Sequence, residues 1–107
     1  MVDSYWLSFR LRDSDGWERT YQDRLQALHD EIIAASGGGA NVWLDTTSFY
    51  IFNSNENAGT IIARIRRAIA DQVDLVVLGM NEYKGGWIIG DLQDTDILAL
   101  VPGMTIV

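Results

Sequence analysis

Tyr5-Trp6-Leu7-Ser8-Phe9-Arg10-Leu11-Arg12 alternates strictly, with Tyr5, Leu7, Phe9 and Leu11 on one side and Trp6, Ser8, Arg10 and Arg12 on the other. Successive side chains of a strand point to opposite faces, so the stretch predicts a half-buried strand with a wetter second face. Downstream the period changes. After Asp13-Ser14-Asp15-Gly16, a turn by composition, the apolar positions become Trp17, Tyr21, Leu25, Leu28, Ile32 and Ala35. Steps of three and four mark an amphipathic helix. Ser14 or Asp15 supplies its cap, Glu18 suits its first turn, and Ser36-Gly37-Gly38-Gly39 stops it.

Asn41 to Asn53 is rich in β-branched and aromatic residues around a polar centre, which predicts two strands joined tightly near Asp45-Thr46-Thr47. Ser54-Asn55-Glu56-Asn57 offers caps for a second helix with Ile61, Ile62, Ile65, Ala68, Ile69 and Val73 on its stripe. Leu75-Val76-Val77-Leu78 reads as a strand buried on both faces. Trp87-Ile88-Ile89 follows as a short strand, Asp91 to Asp96 as an acidic loop, and Met104 to Val107 as a last strand. The order β-α-β-β-α-β with a β-rich tail predicts one α+β domain over residues 1–107. Its architecture would be a ferredoxin-like sandwich, two helices on one face of an antiparallel sheet.

That architecture leaves one sheet face uncovered, and Trp6 with either Phe49/Ile51 or Tyr50/Phe52 would project from it. Large apolar side chains there suit a partner, most simply a second copy. Trp6 and Trp87 are the expected interface anchors, while Trp17 and Trp43 are expected in the core. Ile97 to Val101 and Ile106-Val107 exceed what a four-stranded sheet needs. They are expected to pair with a sheet edge, in the same chain or across a dimer, which adds Ile106 to the interface.

The 107 residues carry 15 acidic and 8 basic side chains, a net charge of −7, and no Cys. Disulfides, thiolate metal sites and Cys nucleophiles are thereby excluded. No run reaches the roughly 18 apolar residues of a membrane helix, and the first residues lack a signal-peptide layout, so a cytoplasmic location is expected. Arg64, Arg66 and Arg67 form one basic cluster and Arg10 with Arg12 a second pair. They are candidates for nucleic-acid or partner contacts, opposed by the acidic excess beyond Ala68. Asp91, Asp94 and Asp96 lack the glycine and distal Glu of a calcium loop and read as a solvated loop. His29 has no acid placed to orient it. Gly37-Gly38-Gly39 follows a helix instead of leading into one, which is wrong for a phosphate cradle.

The strand Tyr5 to Leu11, the hairpin containing Asp45-Thr46-Thr47-Ser48-Phe49, the helix from Thr60 to Ala70 and the strand Asp74 to Leu78 form a pattern over residues 4–90. It resembles the small ferredoxin-like subunit of the CRISPR adaptation machinery and VapD-type toxins. In that family an Asp commonly ends the first strand in a Tyr-Asp-Ile/Leu context, and two symmetry-related copies hold a divalent ion for phosphodiester hydrolysis. The matching triplet here is Phe9-Arg10-Leu11. A guanidinium has no lone pair for a magnesium ion and carries the wrong charge. The expectation is therefore a non-catalytic homodimeric assembly or binding module without cofactor. The alternatives are a phosphodiesterase whose Mg²⁺ site has moved to Asp13 and Asp15, and a small-ligand regulatory domain.

Overall fold

A computed structural model describes residues 2–13, 18–39 and 41–107. Strand β1 (Asp3–Arg10) buries Tyr5, Leu7 and Phe9, as the alternation predicts. Helix α1 (Tyr21–Ala35) starts later than its apolar stripe suggests, because the cap is Thr20, whose Oγ1 accepts the Asp23 N–H at 3.1 Å. Glu18 lies ahead of the helix, and the expectations placed on Ser14, Asp15 and Trp17 lie outside the described residues. The stop is as read: Gly37, Gly38 and Gly39 have φ of 84°, 121° and 94°, a region closed to most side chains.

Strand β2 (Val42–Trp43) is only two residues long and forms a hairpin with β3 (Phe49–Ser54). Helix α2 (Ala58–Ala68) is capped by Asn57, whose Oδ1 accepts the Thr60 N–H at 2.9 Å, and buries Ile61, Ile65 and Ala68. Strands β4 (Leu75–Met80) and β5 (Gly85–Gly90) follow. The tail departs from expectation. Ile97–Leu100 forms a helical turn, α3, and only Gly103–Ile106 extends as β6. The Asp94 carboxylate accepts the Asp96 N–H at 3.0 Å, which bends the chain into that turn, and Pro102 follows it.

The result is a six-stranded mixed sheet in the order β2-β3-β1-β4-β5-β6, antiparallel except for the parallel pair β5–β6. Thus the apolar tail pairs with the edge of its own sheet. Leu28, Ile32 and Ala35 of α1 and Ile61, Ile65 and Ala68 of α2 share one core with Tyr5, Leu7, Tyr50, Phe52, Val76, Leu78 and Ile89. Both helices therefore lie on one face. No helix among the described residues is long and apolar enough to cross a membrane.

One polar pair is sealed inside. Arg24, one turn before Leu28 on the buried face of α1, is 1% exposed, and its Nε donates to Asp74 Oδ2 at 2.9 Å. Its other nitrogens donate to the carbonyls of Arg19 and Arg12. Asp74 also accepts the backbone N–H groups of Arg12 and Ala70, both at 2.9 Å. A buried charge is tolerable only when so fully partnered. The pair ties the end of β1, the start of α1 and the approach to β4 together.

Candidate functional site

Residues opposite one another across a ladder share a face, so the register places every strand side chain. Opposite the helices, one row crosses all six strands: Trp43, Ile51, Trp6, Gly79, Gly86 and Met104. A second row contains Phe49, Ser8, Val77, Ile88 and Ile106. Phe49 joins the two. Its ring stacks on Trp6 with centroids 6.3 Å apart and meets the edge of Trp43 at 6.5 Å. Trp6 lies so close over Gly79 that a Cβ built there would fall within the indole, and Met104 fills the space left at Gly86. The two glycines thus let the Trp6 indole and the Met104 thioether lie down on the sheet.

The patch is apolar and uncharged. Trp43 and Ile51 are 46% and 43% exposed. Its polar border on one side is Ser4, whose hydroxyl donates to Asn53 Oδ1 at 2.7 Å. On the other side stands Arg10, whose Nη2 donates to the Asp91 carbonyl at 3.0 Å and lies 3.5 Å from its carboxylate. Beyond Arg10 the tail returns over the same face. Leu92, Ile97 and Leu100 stand beside Leu75 and Val77 around a cleft of about 420 Å³, with Arg10, Asp94 and Asp96 also in its lining. Ile88, on this face, is fully buried.

Of the expected anchors, Trp6 is on the open face and Ile106, 59% exposed, is on the same side in β6. Trp87 is not. It pairs with Leu78 on the helix-covered face, packs against the core and stacks on Tyr83 at 5.2 Å. Trp43, expected in the core, takes its place on the open face. The period of two does not reveal this, since β2 is too short to display an alternation.

The two basic groups do not meet. Arg10 is on the open face, whereas Arg64 belongs to α2 in the helix layer. Arg64 donates to both Glu56 oxygens at 2.7 Å and to Glu31 at 2.9 Å, and Arg67 reaches Glu31 at 3.4 Å. These bonds hold the Glu56 carboxyl below the usual range and push the Arg64 guanidinium pKa up. Arg66 is exposed, and Arg12 is held through its backbone by Asp74 and Arg24. A polyanion approaching Arg64 or Arg67 thus meets carboxylates already engaged with those cations.

Asp13 is exposed beyond β1. Among the described residues no group of three or more His, Asp or Glu side chains is placed to hold a metal ion. His29 stands edge-on to Tyr50, centroids 6.2 Å apart. It lines a shallow cleft of about 270 Å³ with Gln22, Gln26, Thr46 and Thr47, where no acid among the described residues orients the imidazole.

No family model, no curated protein and no solved structure matches the chain.

Proposed function

We propose that the protein is a non-catalytic assembly module of the ferredoxin-like class that forms a homodimer through the open face of its sheet. The order β2-β3-β1-β4, with both helices on the opposite face, is what a split βαβ sandwich requires, and β5 and β6 extend it at one edge. On this reading the resemblance to the CRISPR adaptation subunit and VapD-type proteins is one of fold. Arg10, at the position where that family places its metal-binding Asp, is engaged with Asp91 instead.

The observation that carries the reading is the uncharged row Trp43-Ile51-Trp6 with Phe49 beside it, in a chain of net charge −7. Contiguous exposed aromatic surface marks an interaction site, and Trp is favoured as an anchor. Two strongly acidic molecules approach each other with least repulsion through a patch that bears no charge. Ile51→Asp tests this by placing a carboxylate on the exposed patch. In sedimentation velocity across a concentration series, the native chain should dimerise and Ile51→Asp remain monomeric with an unchanged circular dichroism spectrum. A native chain that stays monomeric at every concentration overturns the reading.

A further inference from the structure

The cleft beside His29 lies on the other side of the sheet from the aromatic patch. Gln22, Gln26 and His29 follow one another at steps of four and three along α1, so they share one face of the helix. Across the cleft, Thr46 and Thr47 come from the connection between β2 and β3, and Tyr50 from β3 itself. Tyr50 pairs with Leu7 on the helix-covered side, which separates the cleft from the row through Trp6.

A buried phenol with an open hydroxyl forms part of its wall. Tyr50 is 6% exposed, and its ring is taken up by Phe9, centroids 5.2 Å apart, and by the edge contact with His29. Among the described residues nothing hydrogen-bonds the Tyr50 hydroxyl, and no side-chain oxygen is both sealed from solvent and unpartnered. The hydroxyl is therefore the part of Tyr50 that opens into the cleft. A buried tyrosine hydroxyl ordinarily finds its partner within the fold, whereas this one must take a partner from the cleft.

The rest of the lining has the same character. Gln, Thr and Tyr side chains both donate and accept, and a neutral imidazole has one nitrogen of each kind. The Gln26 amide nitrogen donates to Asp30 at 2.8 Å, which leaves its oxygen as an acceptor for the cleft. No charged side chain lines the cleft, in a chain of net charge −7. Asp30 beside Gln26 and Asp45 beside Thr46 repel an anion, and a cation finds no carboxylate in the lining. A flat aromatic ligand has no tyrosine face to stack on, because Phe9 and His29 engage that ring. The chemistry left is neutral, saturated and hydroxylated, with a C–H face for Leu25 and Leu44. We propose that this cleft binds a single monosaccharide ring, with the Tyr50 hydroxyl and the Gln26 amide oxygen as its central hydrogen-bond partners. A volume of about 270 Å³ is the share of about nine water molecules in the liquid, room for one ring and not for a chain of them. A shallow site for so small a ligand binds at about millimolar concentration. The proposal does not rest on the homodimer.

Titration of the isotope-labelled chain with D-glucose, D-galactose, D-mannose and N-acetyl-D-glucosamine, each followed by heteronuclear correlation NMR, tests it. At least one sugar should shift the backbone amides of residues 22–29 and 44–50 saturably. Tyr50→Phe, which keeps the ring and removes the hydroxyl, should weaken that sugar roughly five-fold, and Gln26→Ala, a change at an exposed position on the helix, should weaken it similarly without touching the core. Uracil and inorganic phosphate, as planar and anionic probes, should leave these amides in place. The proposal is overturned if none of the four sugars gives a saturable shift, if the shifts fall around Trp6 and Phe49 instead, or if Gln26→Ala binds as the native chain does. It is equally overturned if uracil or phosphate moves the same amides as strongly as the sugar.

Discussion

The indole of Trp6 occupies the space that a side chain on Gly79, its cross-strand partner, would fill. The absence of a single methyl group on β4 therefore sets the height of the aromatic patch on β1. Gly79→Ala should displace the ring, and overpacking of this kind costs about 1–3 kcal/mol. Differential scanning calorimetry should show Tm lower by roughly 5–15 °C. Combining Gly79→Ala with Trp6→Ala should destabilise less than the sum of the single changes, because the clash needs both partners. Additive effects would contradict the contact.

Asp74 is the acceptor for Arg24 and for two backbone N–H groups. Asp74→Asn removes the carboxylate charge that the buried guanidinium meets on β4's approach. Breaking a buried pair from one side costs about 3–5 kcal/mol, so urea denaturation should show a much lower midpoint. Glu56→Gln, in a pair more open to solvent, should cost about 1 kcal/mol or less. A similar loss in both variants would refute the ranking.

Stability should fall at both ends of the pH scale for separate reasons. The Glu56 carboxyl is held low chiefly by the hydrogen bonds from Arg64, and its ordinary value is 4.5. A lowered folded pKa gives stability that is present above that value and lost as pH falls through the folded pKa. Arg64→Met should flatten this acid limb. Burial raises the Tyr50 hydroxyl above its ordinary 10.0, with Tyr21 adding to the shift, and burial does the same for Tyr5. Their contribution is complete below pH 10 and lost as pH rises through the folded values. Tyr50→Phe should reduce the alkaline loss. Chemical denaturation at a series of pH values measures both limbs.

The alternation around Leu7 and the stripe through Leu28 and Ile32 were sufficient to read β1, α1 and the covered face from sequence. Each repeats often enough to fix its phase. Trp87 shows where that stops. Its face depends on pairing with Leu78, and a slip of one residue reverses every side chain of a strand. Trp43 had too little strand around it to show a phase. Arg24 is illegible because its partner Asp74 is 50 residues away, and a charged side chain is seldom buried unless paired, so its place in line with Leu28 does not announce burial. The run Ile97 to Val101 has the composition of an edge strand, and only the local turn at Asp94 and Asp96 bends it otherwise.

The position of β1 also bears on biosynthesis. Strand β1 is hydrogen-bonded on one side to β3 and on the other to β4, both made after it, with Trp6 opposite Ile51 and Gly79. During vectorial synthesis it must therefore wait, with its amide and carbonyl groups satisfied by water, until most of the chain has left the ribosome. Long-range pairing of this kind delays cooperative folding. The nascent chain then exposes Trp6 and the rest of this strand until β3 and β4 have been made.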